Sequence, residues 1–189
     1  METNTNFDWK KRLTFTPEDD LVFNSARLLL LFDELATVCK KGIDIERLSY
    51  YDFFAANPYV ILANDDPSRL DFELEGFEPN KLEYSSSAQR YNSKRESMKH
   101  YLALLLAKGL IDVTNEEGKI VFSITERGSS VANQIKTLYA IAYRKSVGYV
   151  IRQLKDYSDT KLWKVSRIWL EAKAFQIDLY NLGGDQQNE

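Results

Sequence analysis

The sequence predicts a mainly α fold with a small β-hairpin wing: a winged helix-turn-helix followed by a C-terminal antiparallel helical hairpin. Three observations predict it. First, Met98, Tyr101, Leu102, Leu105 and Leu106 stand at i, i+3, i+4, i+7 and i+8, one apolar helical stripe. Gly109 follows, where glycine adopts the left-handed cap conformation at little cost. Second, Ile111-Asp112-Val113 and Ile120-Val121-Phe122-Ser123-Ile124 flank the turn Asn115-Glu116-Glu117-Gly118 and read as a hairpin. Thr125 then has N-cap chemistry for a new helix, with Arg127 and Gly128 in its first turn. Third, Val131, Ile135, Leu138 and Ala142 continue into Val147, Val150, Ile151 and Leu154, which predicts helix throughout 129–156. After Tyr157-Ser158-Asp159 a last helix runs from about Thr160, with Leu162, Val165, Trp169, Ala172 and Leu179 inward, to Gly183-Gly184. Two long helices in series with a short connection make an antiparallel pair, an appendage built to dock on something.

Upstream, residues 1–20 are polar, with Phe7, Trp9, Leu13 and Phe15 loosely alternating, and read as an N-terminal arm. Thr16-Pro17-Glu18-Asp19 is a helix-entry signal. The first helix carries Leu28, Leu31, Leu35 and Val38 on one face, Asp33 and Glu34 opposite, and ends at Gly42. Asp44 caps a second, short helix with Leu48, Tyr51 and Ala55 inward, closed by Asn57-Pro58. Residues 57–92 are too long for the usual turn to a third helix, which starts near Tyr91–Lys94. Inside this insertion Leu70-Asp71-Phe72-Glu73-Leu74-Glu75 alternates as a half-exposed strand, its three acids solvating one side rather than holding a metal. The predicted organisation is an arm at 1–20, a winged-helix domain at 21–128 with an insertion at about 57–92, a helical hairpin at 129–182 and a disordered tail at 183–189.

At 44% hydrophobic and 13% aromatic residues the chain can build a core. One cysteine, Cys39, excludes a disulfide framework and suits a reducing compartment. The opening residues lack a secretory pattern, and the longest apolar run, Leu28 to Phe32, is too short to cross a bilayer, so a cytoplasmic protein is expected. One histidine, one cysteine and eight scattered glycines leave no Cys/His metal cluster and no phosphate-cradling glycine loop. Neither a Ser-centred nucleophile elbow nor a catalytic carboxylate pair stands out. The expectation is no enzyme, no cofactor, no metal and no small-molecule substrate.

Charge is uneven. Residues 1–83 hold 17 Asp and Glu against 9 Lys and Arg, a balance of −8, and the remainder carries +5. The third helix offers Lys94, Arg95, Lys99 and His100, with Arg90 before it and Lys119 in the wing, as candidate contacts to nucleic acid or a partner. Against free DNA readout, the wing tip is acidic at Glu116-Glu117, and one helix supplies few of the phosphate contacts that useful affinity needs. Between residues 136 and 173 nine basic side chains face three acidic ones. Arg144, Arg152, Lys164 and Arg167 from this stretch, with the aromatics Tyr50, Tyr51, Phe54 and Tyr59, are the candidate partner interface.

Leu48-Ser49-Tyr50-Tyr51-Asp52-Phe53-Phe54-Ala55-Ala56-Asn57-Pro58-Tyr59, after LLLLFDELA and before the KGLI…FSITERG wing, resembles the small middle components of three-component ABC-ATPase defence systems, among them the small subunit of Lamassu anti-phage systems. The resemblance spans residues 20–175, and its most specific piece is the L-x-Y-Y-D-F-x-x-x-N-P string. It implies a non-enzymatic adaptor that bridges an SMC-like ATPase and a nuclease-type effector, with DNA reached through the complex. It carries no catalytic motif to transfer. A winged-helix transcription regulator acting as a homodimer is the alternative reading.

Overall fold

A computed structural model of the chain describes residues 20–79 and 86–182. Along them run α1 (Leu21–Leu35), β1 (Ile43–Asp44), α2 (Ile45–Ala56), a 3-10 turn at Pro58–Val60, α3 (Ser68–Leu74), α4 (Ser87–Ala107), β2 (Ile111–Glu116), β3 (Lys119–Ile124), α5 (Glu126–Gln134), α6 (Leu138–Leu154) and α7 (Asp159–Leu182). The described chain is mainly helical with one small antiparallel sheet of order β1-β3-β2. The N-terminal arm, the Thr16-Pro17 entry signal and the tail after Leu182 lie outside the described residues.

The organising element is α2. Every residue from Leu48 to Ala55 is buried: aromatic and aliphatic side chains point to all sides, and the two polar ones among them, Ser49 and Asp52, are hydrogen-bonded in place. Asp44 caps it, accepting the Arg47 N–H at 2.9 Å, and Asn57-Pro58 ends it, both as the sequence indicates. It is flanked by α4 and α6. Tyr50 stacks on Tyr91 of α4 with ring centroids 4.9 Å apart, and Phe54 meets Trp169 of α7 edge-on at 5.6 Å. The expectation that Tyr50, Tyr51, Phe54 and Tyr59 form an exposed interface is therefore corrected: none is more than 8% exposed, and their rings are core.

Three helices meet on one buried carboxylate. Arg27 of α1 donates to Asp52 of α2 through Nε (3.0 Å) and Nη2 (2.7 Å), and the Tyr143 hydroxyl of α6 donates to Asp52 Oδ1 at 3.0 Å. Burial works against the Arg27 charge, but the adjacent Asp52 outweighs it and raises the guanidinium pKa. Burial first, then Asp52, pushes the Tyr143 phenol well above its ordinary value. Ser146 adds a fourth tie, donating to the Ala55 carbonyl at 2.8 Å.

The hairpin turns at Glu117-Gly118, both with positive φ (53° and 84°), and Glu116 pairs with Lys119 across a two-residue loop. Thr125 caps α5, accepting the Gly128 N–H at 2.9 Å, and its own N–H donates to the Leu110 carbonyl. Gly42 does not close the first helix. That helix stops at Leu35, and Gly42 (φ 88°) lies where the chain passes β3, its missing Cβ only 2.8 Å from the Phe122 carbonyl oxygen.

Three further expectations change. Residues 70–74 are not a strand but the body of α3, with Glu75 capping its end: Asp66 accepts the Ser68 N–H at 2.8 Å after Pro67, and this helix-entry chemistry overrides a short alternation. Phe72 turns inward, while Leu70 and Leu74 stay exposed. The predicted continuous helix over 129–156 breaks at 135–137, where Thr137 caps α6 by accepting the Ala140 N–H at 3.1 Å, and α4 begins about a turn earlier than its apolar stripe suggests. Finally, α6 and α7 are not an appendage: α6 packs on α1 and α2, with Tyr143, Val147, Val150 and Leu154 buried, whereas α7 packs chiefly on α4.

Candidate interaction surface

On a helix each residue advances by about 100°. Arg90 and Lys94 therefore border the buried stripe of α4 (Tyr91, Met98, Leu102, Leu105) on one side, and Arg95 and Lys99 border it on the other. The four cations are thus split between two sides of the helix. Lys94 Nζ reaches Asn24 Oδ1 at 3.4 Å. Arg95 is clamped on Glu46 of α2, Nε to Oε2 at 2.9 Å, and that bond raises its pKa. Lys99 and His100 are exposed. In the β2–β3 hairpin, Lys119 Nζ pairs with Asp159 Oδ2 at the start of α7, 2.7 Å away. Two of the expected contact cations, Arg95 and Lys119, are thus tied to this chain's own acids.

The basic residues of the last two helices divide the same way. Arg144 is an internal cross-tie, Nη1 to Asp33 Oδ2 at 2.9 Å and to Glu34 Oε1 at 2.5 Å, with Nη2 donating to the Ala132 carbonyl. Arg167 pairs with Glu171 one turn along α7. Arg152 and Lys164 stand exposed.

One surface was missed by sequence reasoning. A groove of about 610 Å³ runs between the start of α2, β3 and the start of α7. Ile45, Ile120, Leu162 and Trp163 give it an apolar lining, and Ile120 (61%) and Trp163 (53%) are exposed. Its rim is charged but internally paired. Arg47 Nη1 donates to Asp159 Oδ1 at 3.0 Å, and Nη2 donates to the Leu154 and Tyr157 carbonyls at 3.1 and 2.8 Å, capping the end of α6. Hydrogen bonding from Lys119, then its charge and that of Arg47, holds the Asp159 carboxyl below its ordinary range against partial burial. The available signal was Ile120 beside Lys119 at the hairpin turn and Trp163 in Lys161-Leu162-Trp163-Lys164: large apolar groups set among charges. Paired rim charges cost less to cover than unpaired ones, and exposed Trp and Ile gain from being covered. The groove therefore suits apolar protein–protein contact. Among the described residues no three His, Cys, Asp or Glu side chains cluster as metal ligands, and no helix is long and apolar enough to cross a membrane.

Residues 22–172 match the family model described as ABC-three component (ABC-3C) system Middle Component 2. The chain belongs to that family, and a middle component of a multi-component system implies protein partners. No curated protein and no solved structure matches the chain significantly.

Proposed function

We propose that this chain is a non-enzymatic adaptor that joins an SMC-like ABC ATPase to a nuclease-type effector in a cytoplasmic anti-phage or anti-plasmid complex of the Lamassu kind. Its body is a winged helix: α1, β1, α2, α4, then the β2–β3 wing, with β1 pairing on β3. The insertion between α2 and α4 holds α3. The observation that carries the reading is the apolar groove beneath the wing, where Trp163 and Ile120 stand exposed among charges already satisfied within the chain. DNA is reached through the ATPase. The acidic wing tip and the Arg95–Glu46 clamp weigh against reading a duplex directly, which makes a homodimeric repressor the weaker alternative.

Co-expression with the neighbouring genes tests this. The chain is expected to co-purify with a large ATPase, and Trp163→Ala combined with Ile120→Asp is expected to release it while the isolated variant keeps the wild-type melting temperature. A chain that stays alone beside its operon neighbours overturns the adaptor. A salt-sensitive shift of its own promoter by the isolated chain, lost on K94A/R95A/K99A, establishes the repressor instead.

A further inference from the structure

A second cavity, about 430 Å³, opens on the far side of the Arg27–Asp52 pair, among the α1 start, the α2 end, the segment after α3 and the α6 start. Arg27 and Asp52 line it although each side chain is at most 4% exposed. The guanidinium binds Asp52 through the fork made by Nε and Nη2. Its other fork, Nη1 with the second Nη2 proton, makes no hydrogen bond among the described residues, where the bonds of Arg27 run from Nε and Nη2 to Asp52. A fork of two parallel N–H groups matches the two oxygens of a planar carboxylate.

The remaining lining sets size, shape and charge. Phe23, Phe53 and Tyr139 supply aromatic wall, with the Phe23 and Tyr139 rings 5.1 Å apart. Three cations (Arg27, Arg90, Lys94) stand against three acids (Asp52, Glu75, Glu78), and Glu75 is paired with Lys145. With Lys145 counted against Glu75 the surroundings carry one net positive charge, which accepts a single negative charge at the open fork and does not compensate a dianion, disfavouring phosphate esters. The volume is within the range of small-ligand sites, roughly 300–1,000 Å³. We infer that this cavity binds an aromatic monocarboxylate, its carboxylate on the open fork of Arg27 and its ring against Phe23, Phe53 and Tyr139. The ligand is either a free aromatic acid or the C-terminal carboxylate of a polypeptide ending in an aromatic residue. The two present the same chemistry to the site.

Titration of the isolated, ¹⁵N-labelled full chain tests the inference, independently of the adaptor reading, because no partner is present. The probes are benzoate, 3-phenylpropionate, N-acetylglycyl-phenylalanine with a free C-terminus, and neutral benzamide. Saturable amide shifts confined to residues 23–27, 53–57 and 139–142 are expected with the acids and not with benzamide. Arg27→Lys keeps a charge beside Asp52 but removes the fork, and should weaken binding by at least about tenfold, or ~1.4 kcal/mol. Should that variant not fold, Tyr139→Ala carries the test: the residue is 41% exposed, and its loss removes ring wall while both partners of the ion pair stay in place. Tighter binding of the dipeptide than of phenylpropionate assigns the site to a polypeptide terminus, and the reverse assigns it to a free acid. Benzamide binding as well as benzoate, an absence of saturable shifts, or unchanged affinity in Tyr139→Ala overturns the inference.

Discussion

At Gly128 a single hydrogen atom decides whether the β2–β3 hairpin can join the helical body. A Cβ there would lie 2.0 Å from the Leu110 carbonyl oxygen and 2.7 Å from Ile124 Cγ1, with backbone on the crowded side. Gly128→Ala is expected to destabilise by about 1–3 kcal/mol, read from urea unfolding monitored by far-UV dichroism. Asp52 is the more severe position. Asp52→Ala strands the Arg27 charge in the core and should cost about 3–5 kcal/mol, whereas Tyr143→Phe removes one hydrogen bond to a charge and should cost about 1.5–3 kcal/mol. Differential scanning calorimetry that ranks Tyr143→Phe above Asp52→Ala would sink this account of the triad. The caps at Asp44 and Thr125 are legible in the sequence because donor and acceptor lie three residues apart. The triad is not, because its members come from positions 27, 52 and 143 and no local pattern joins them. Its one trace is a lone arginine just before LLLLF.

Elements show why periodicity succeeded for α4 and failed for α3. The apolar stripe of α4 persists over three turns and ends on Gly109 (φ 64°), so period and punctuation agree. In α3 six alternating residues fit either period, and Asp66-Pro67-Ser68 decided the backbone. The reading of α2 as one-faced failed for a different cause, since the side chains beyond its stripe are aromatic and are covered by α4, α6 and α7. The junction of β3, α2 and α7 depends on Asp159, which accepts from Lys119 and Arg47 together. Its pKa is lower folded than its ordinary 3.8, so its contribution is present in full above that value and is lost as pH falls through the folded-state pKa. The stability difference between wild type and Asp159→Asn should thus be constant near neutrality and shrink below about pH 4 in acid titrations of the urea midpoint. Arg47→Ala should speed amide exchange at the start of α7 and leave that of α4 unchanged, because it removes the donors to the carbonyls that end α6.

For the whole molecule, the mainly helical class and the hairpin were legible in the sequence, but the division of labour among surfaces was not. Burial of Tyr50, Tyr51, Phe54 and Tyr59 and the self-pairing of Arg95, Lys119 and Arg144 depend on tertiary neighbours that the sequence lists far apart. The Ile120–Trp163 groove is left exposed, and reversing the hairpin tip with Glu116→Lys and Glu117→Lys should leave co-purification with the proposed ATPase partner intact if that groove holds the partner. The convergence of α1, α2 and α6 on Asp52 also governs where the polypeptide can be cut. A fragment stopping at residue 128 keeps the arginine and the aspartate but loses the tyrosine lid above them and the whole flank that keeps water from the pair. Such a truncation is expected to be recovered as inclusion bodies, so the protein has no detachable head: α6 is part of the keystone, and it cannot be removed without dismantling the arch.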